Sequence, residues 1–120
     1  MSFDKDGYPS RDTLTEIREY NIIPDGLRGF LSLVFKHWRY PNLISFSEHD
    51  LDRCVLKMST GGWSGNEVIM AEIECNDGFW DINWCQSRKG GHYWFTLPIS
   101  EMVYWRDVCA GYYVDEIQRS

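Results

Sequence analysis

The chain has 120 residues and a formal net charge of −6, and 43% of its residues are hydrophobic and 16% aromatic. This composition predicts one folded domain over residues 1–120 and argues against intrinsic disorder. The acidic charge argues against sequence-independent nucleic-acid binding, which depends on Lys and Arg contacts to phosphate.

Targeting and metal-binding signals are missing from the sequence. No apolar run reaches the roughly 18 residues of a membrane span. The segment 1–7 lacks the apolar core of a signal peptide, so we expect a cytoplasmic protein without membrane association. The cysteines are widely spaced and form no Cys-x-x-Cys pair, so we expect free, mostly buried thiols and neither a metal nor another cofactor. They are Cys54, Cys75, Cys85 and Cys109.

Two helices are predicted before residue 40. Ser10 or Asp12 is expected to cap the first, over about residues 13–20. In the second, apolar residues recur at three- and four-residue steps over 27–38, with Pro24 near its first turn. We interpret His37 as a solvated residue of this helix, because no second metal ligand lies beside it at helical spacing.

Strands are predicted on both sides of a further helix. Residues 43–46 form a short strand, and 53–58 alternate so that Cys54, Leu56 and Met58 share one face. Residues 67–75 fit a helix or a strand, and we favour a helix because Ile69 and Ile73 are four residues apart.

The last third of the chain predicts a hairpin and a helix. Trp80, Ile82 and Trp84 alternate with polar residues, and Gly90-Gly91 supplies a turn, so residues 79–97 are predicted to form an antiparallel hairpin. Ser100 is then expected to cap a helix that runs to about residue 109, with Met102 and Trp105 facing inward.

These elements predict an α+β fold. It comprises two N-terminal helices, a three- to four-stranded and mostly antiparallel sheet, one helix inserted after a Gly-rich loop, and a C-terminal helix.

The Gly-rich loop 59–67 is the most unusual segment, with the sequence Ser-Thr-Gly-Gly-Trp-Ser-Gly-Asn-Glu. A strand, a glycine-rich turn and a helix start form the general layout of an anion site. The loop nevertheless lacks the Gly-Lys-Ser/Thr of a P-loop and the Gly-x-Gly-x-x-Gly of a dinucleotide site. It is more simply explained as a tight turn in which Ser64 or Asn66 caps the helix and Trp63 fills the core.

If the loop is a ligand site, the hairpin tip is expected to contribute to it, because its basic side chains suit phosphate or carboxylate. Trp63, Trp80 or Tyr93 would stack on a base. The candidate ligand-binding residues are Ser59, Thr60, Gly61, Gly62, Trp63, Ser64, Gly65, Asn66, Glu67, Arg88, Lys89 and His92.

Catalysis has less support in the sequence. His92 with Glu67 is a possible acid–base pair, and Ser59 or Ser64 a possible nucleophile, if they meet in space. The Gly-x-Ser-x-Gly elbow is absent, so a binding protein is favoured over an enzyme.

The loop 59–67, together with Phe79-Trp80, Trp84, Ser87-Arg88 and Gly90-Gly91-His92-Tyr93, resembles small proteins of tailed bacteriophages and prophages. The resemblance covers residues 53–97 and implies a phage or prophage origin. It implies no reaction.

From this resemblance we expect an accessory protein, acting in the host cytoplasm, that inhibits a host process such as an immune defence by binding a host bacterial protein. Exposed aromatic residues make a homodimer a further expectation. The alternative is that the chain sequesters, or hydrolyses, an anionic nucleotide at the Gly-rich loop and hairpin tip.

Overall fold

The computed structural model describes residues 8–23 and 26–108 of the chain. The order of elements confirms the predicted α+β class, with two helices before the sheet, helices inserted into it and a final helix. In chain order, the helices and strands are α1 (Arg11–Glu19), α2 (Leu27–His37), β1 (Ile44–Glu48), β2 (Arg53–Ser59), α3 (Ser64–Glu74), α4 (Asp77–Asn83), β3 (Trp84–Arg88), β4 (His92–Pro98) and α5 (Ile99–Val108).

The chain clusters into two compact units. The helical unit contains the described residues up to Arg39 together with Gly62–Ile82, and the sheet unit contains Tyr40–Gly61 and the described residues from Asn83 onward. That residues 1–120 form a single domain stays a prediction. Within the described ranges, every helix is too short or too polar to cross a bilayer.

The four strands form one antiparallel sheet in the order β1-β2-β4-β3. Along β2, Cys54, Leu56 and Met58 are buried, as their alternation predicted. Phe46 and Phe95 pair with Leu56 from the two neighbouring strands and are buried with it. We call this side the core face, and the side that carries the intervening residues the open face.

Helix α5 packs against β1, β2 and β4. Met102 and Trp105 are buried, as their spacing predicted. The helix begins at Ile99, whose N–H donates to the carbonyl oxygen of Asp52 at 2.8 Å. Ser100 therefore lies inside the first turn, and the prediction that it caps the helix is wrong.

Helix α1 begins as predicted. Of the two expected caps, Ser10 is the one used, because its Oγ accepts a hydrogen bond from the N–H of Thr13 at 3.2 Å. Asp12 lies in the first turn, where a carboxylate complements the helix dipole. Ile17 is buried, and α1 packs against α3. Pro24, expected near the start of α2, lies outside the described residues.

His37 is buried, so its prediction as a solvated residue is wrong. Its side chain is 2% exposed, and its Nδ1 lies 2.9 Å from the carbonyl oxygen of Leu33. The residue follows Phe30 by seven positions and Val34 by three, which places it on the buried face of α2. A buried imidazole is tolerated there because one of its ring nitrogens lies within hydrogen-bond distance of a backbone carbonyl oxygen of the same helix.

The hairpin predicted over 79–97 is confirmed only from residue 84 onward. Residues 79–83 belong to α4, so a second helix is inserted where one was predicted. Trp80 and Ile82 lie on this helix and Trp84 begins β3, so the three do not share one strand face as predicted. A helix forms here because Asn76 caps it. The Oδ1 of Asn76 accepts a hydrogen bond from the N–H of Phe79 at 3.2 Å.

Two of the described cysteines are exposed, which contradicts the prediction of mostly buried thiols. Cys75 follows the end of α3 and Cys85 lies on the edge strand β3, whereas Cys54 is buried on the core face. Burial raises the pKa of the Cys54 thiol, because desolvation disfavours the thiolate. Cys109 lies outside the described residues.

We expect iodoacetamide to alkylate Cys75 and Cys85 in the native protein and Cys54 only after unfolding, because the reagent needs an accessible thiolate. Peptide mass spectrometry with and without denaturant measures each site. Native alkylation of Cys54 as fast as that of Cys85 would contradict its placement.

Candidate functional site

The Gly-rich loop turns the chain through two left-handed residues. Gly61 has φ 65° and Gly62 has φ 76°, which confirms the predicted positive φ in this loop. An L side chain rarely adopts this backbone conformation, so glycine is required for conformational reasons alone. Helix α3 then begins at Ser64.

The two glycines differ in their surroundings. A Cβ on Gly61 would lie 2.8 Å from Leu43 Cδ1 and 3.2 Å from Tyr40 Cδ2. A Cβ on Gly62 would have no neighbour within 4 Å. Alanine at Gly62 would therefore add backbone strain alone, whereas alanine at Gly61 would add both backbone strain and steric overlap.

We expect Gly62→Ala to lower the free energy of unfolding by about 1 kcal/mol, the cost of a left-handed L residue. Gly61→Ala should cost about 2 kcal/mol or more, because overlap with Leu43 and Tyr40 adds to the same strain. Urea unfolding of both variants measures the difference. Equal losses would contradict the packing described for Gly61.

Trp63 does not fill the core, contrary to the prediction. Its side chain is half-buried, with its ring 5.1 Å from that of Tyr8 and 4.5 Å from Cζ of Arg39. The ring occupies the space that a side chain on Gly65 would need, which explains that third glycine. Ser64 is exposed, and its hydroxyl is hydrogen-bonded to that of Tyr8.

Asn66 is a structural clamp in the helical unit. It is fully buried, its Oδ1 accepts from the N–H of Arg39 at 2.9 Å, and its Nδ2 donates to the carbonyl of Arg39 at 2.8 Å. The residue at the cap position of α3 is Trp63, so the prediction of Ser64 or Asn66 as the cap is wrong. Glu67 is exposed in the first turn of α3.

The sheet unit brings together the start of the loop and the hairpin tip. Ser59 pairs with His92 across β2 and β4, and Ser59 Oγ lies 2.8 Å from His92 Nδ1. The N–H of Thr60 donates to the carbonyl of Gly91 at 2.9 Å. Gly91 has φ 83°, and a side chain there would overlap that of Thr60. This end of the hairpin is therefore closely fixed to β2.

The basic side chains of the hairpin tip are exposed. Arg88 ends β3 directly opposite His92, and Lys89 follows in the turn. Gly90 completes the turn with φ 100°, as the predicted Gly-Gly turn requires. Of the twelve predicted ligand residues, the sheet unit contains six, and the remaining six belong to the helical unit. The six in the sheet unit are Ser59, Thr60, Gly61, Arg88, Lys89 and His92.

The Ser59–His92 contact is the one place where a predicted nucleophile meets a predicted base within a unit. A serine next to an imidazole is part of a nucleophile–base pair. Ser59 is only 7% exposed, however, and the predicted partner Glu67 belongs to the helical unit. The contact is sufficiently explained as a hydrogen bond that fixes the hairpin. Among the described residues, no group of His, Cys, Asp and Glu side chains is arranged to hold a metal ion.

The sequence prediction missed an apolar groove at the other end of the sheet unit. The groove has a volume of about 470 Å³ and lies between the β1–β2 turn and α5. We call it the Leu51 groove. Its lining residues are Glu48, Asp50, Leu51, Ile99, Met102, Val103 and Arg106.

Leu51 is 95% exposed, and it lies in a turn whose backbone is ordered by hydrogen bonds. On either side of it, Asp50 Oδ1 accepts hydrogen bonds from the N–H groups of Asp52 and Arg53 at 2.9 and 2.8 Å. The N–H groups of His49 and Asp50 donate to the carbonyl of Arg53 at 3.0 and 3.1 Å. The signal was visible in the sequence as a leucine between two aspartates in a polar turn.

Comparison with protein-family models, with curated proteins and with solved structures finds no match to this chain. The phage resemblance of the loop therefore stays a prediction.

Proposed function

We propose that this chain is a small accessory binding protein of the phage type, which inhibits a host process such as an immune defence by binding a host bacterial protein. The observation that supports this proposal best is the Leu51 groove with its exposed leucine. The resemblance of residues 53–97 to phage proteins supplies the class of partner. The two arguments are independent of each other.

An exposed leucine on a fixed turn is suited to binding. At 95% exposure, the Leu51 side chain contributes almost nothing to the free energy of folding, since its apolar surface stays in water. Val103, on the α5 side of the groove, is also 46% exposed. Both side chains line the same groove, so an apolar side chain of a partner would be buried against the two of them. Because the turn is already ordered by its hydrogen bonds, little conformational entropy is lost when a partner binds.

The charges of the groove indicate what the partner presents. Glu48 and Asp50 lie on the strand side, whereas Arg106 lies on the helix side. Asp52, next to Leu51, is exposed as well. A partner surface that complements this groove carries an apolar side chain, with a basic group beside it that faces the acidic β1–β2 turn.

The test is affinity capture from bacterial lysate with matched variants. Leu51→Asp should weaken capture of the partner at least about tenfold, because the apolar contact of the leucine is lost and a carboxylate is placed against the apolar side chain of the partner. Val103→Asp should also weaken capture of the partner. Ile23→Asp is the control, since Ile23 is 59% exposed but belongs to the helical unit.

The proposal requires a protein that wild type and Ile23→Asp retain and Leu51→Asp loses. Equal retention by all variants would contradict the groove as the binding surface. Retention of nothing by wild type would contradict the proposed function itself.

A further inference from the structure

A second surface lies on the open face of the sheet, at the end that carries the hairpin tip. Side chains of paired residues point to the same side of a sheet. Lys57 pairs with Trp94, which pairs with Gln86, and in the next row His92 pairs with Arg88. We call these five residues the Trp94 surface. They alternate with the buried residues of the core face, so they share the open face.

The cations of this surface are arranged around one aromatic ring. Lys57 Nζ lies 5.3 Å from the centroid of the Trp94 ring, and Arg88 Cζ lies 5.8 Å from it. The ring of His92 is 6.3 Å away, and its contact with Ser59 fixes its orientation. Both cations lie over the ring, which is the geometry of a cation–π contact, so the indole holds two positive groups next to a surface on which a base stacks.

The charge of this surface is opposite to that of the whole chain. The net charge is −6, yet the described open-face residues of β2, β3 and β4 near Trp94 include no carboxylate. Among the side chains that the structure describes, neither Lys57 nor Arg88 has a carboxylate oxygen within 4.0 Å. Lys89 adds a third cation, which is exposed in the adjacent turn. This local charge complements a phosphate.

We infer that the Trp94 surface binds a nucleotide. The base stacks on the Trp94 ring in place of one of the two side chains that lie over it, and the phosphates lie between Lys57, Arg88 and Lys89. One tryptophan offers a stacking position for one base, which favours a mononucleotide over a long single strand. Two or three cations within reach of that ring match a phosphate chain. The site uses the predicted Arg88, Lys89 and His92, but its aromatic residue is Trp94 instead of Trp63, Trp80 or Tyr93.

This inference does not depend on the Leu51 groove. The two surfaces lie at opposite ends of β2, whose seven residues span about 20 Å. A variant of one surface should therefore leave the other unchanged.

The test is isothermal titration calorimetry with ATP, set against adenosine and inorganic tripolyphosphate. ATP should bind more tightly than either part, because stacking and charge then act together. Arg88→Ala and Trp94→Leu should each weaken ATP binding about tenfold, as expected for loss of a charged contact or a stacked base. Arg106→Ala is the matched control, since Arg106 is an exposed cation of the same unit at the Leu51 groove.

Three outcomes would overturn the inference. One is no heat with ATP, and another is equal ATP affinity in wild type and Arg88→Ala. The third is tighter binding of a short oligothymidylate than of ATP, which would assign the surface to single-stranded nucleic acid. Because Arg88 is exposed, its variant keeps the test valid if Trp94→Leu fails to fold.

Discussion

Asn76→Ala is expected to lower the free energy of unfolding by about 3 kcal/mol, because it removes a buried amide that satisfies several backbone groups. Its Nδ2 donates to the carbonyl oxygens of Ile17 at 2.9 Å and of Tyr20 at 3.1 Å. Its Oδ1 accepts from the N–H of Phe79 at 3.2 Å. One side chain thus connects the end of α1 to the start of α4.

Chemical unfolding measures this loss, with Asn42→Ala as the control. Asn42 is exposed, so its replacement should change stability by less than about 0.5 kcal/mol. Similar losses for the two asparagines would contradict the burial and bonding described for Asn76.

Asn66→Ala is expected to cost about 2 kcal/mol, because the backbone N–H and carbonyl of Arg39 both lose their bond to a fully buried amide. The variant also tests the role of the Gly-rich loop. If Asn66 is a clamp, the loss appears as lower stability, and ATP binding to the folded fraction stays at the wild-type level.

Calorimetry and urea unfolding of Asn66→Ala separate the two roles of the loop. Unchanged stability together with lost ligand binding would show that Asn66 is a ligand residue, as the sequence first suggested.

The sequence predicted the elements that have one dominant pattern. Strand β2 alternates cleanly, so the three side chains that share its buried face were grouped correctly. Ser10 was one of the two caps expected for α1, because a serine oxygen before a helix accepts a hydrogen bond from an N–H of the first turn. The positive φ values followed from Gly61, Gly62, Gly90 and Gly91, since turn geometry is local.

The errors occurred where two patterns competed. Residues 79–83 alternate like a strand, but Phe79 and Asn83 are both buried and four residues apart, which is a helical spacing. The Asn76 cap favours the helix. In the sequence, an asparagine that caps a following helix looks the same as one that ends the preceding helix, because its hydrogen-bond partner is not known. Trp63 was misplaced for a similar reason, because its partners Tyr8 and Arg39 are distant in sequence.

The candidate site was predicted only in part. The sequence identified the basic hairpin tip, and the structure adds Lys57 and Trp94 beside Arg88, which only the strand register brings together. The glycines and Asn66 of the loop now have structural explanations in turn geometry and backbone bonding. The Leu51 groove depends on the approach of α5 to the β1–β2 turn, which local patterns do not predict.

The central claim is that the Leu51 groove binds a host protein. Hydrogen–deuterium exchange of the complex isolated by affinity capture, compared with the free chain, tests it most directly. The proposal predicts slower exchange over residues 48–52 and 99–106, with no change over 84–94. Unchanged exchange at the groove, or slowing confined to residues 62–67 or 84–94, would contradict it.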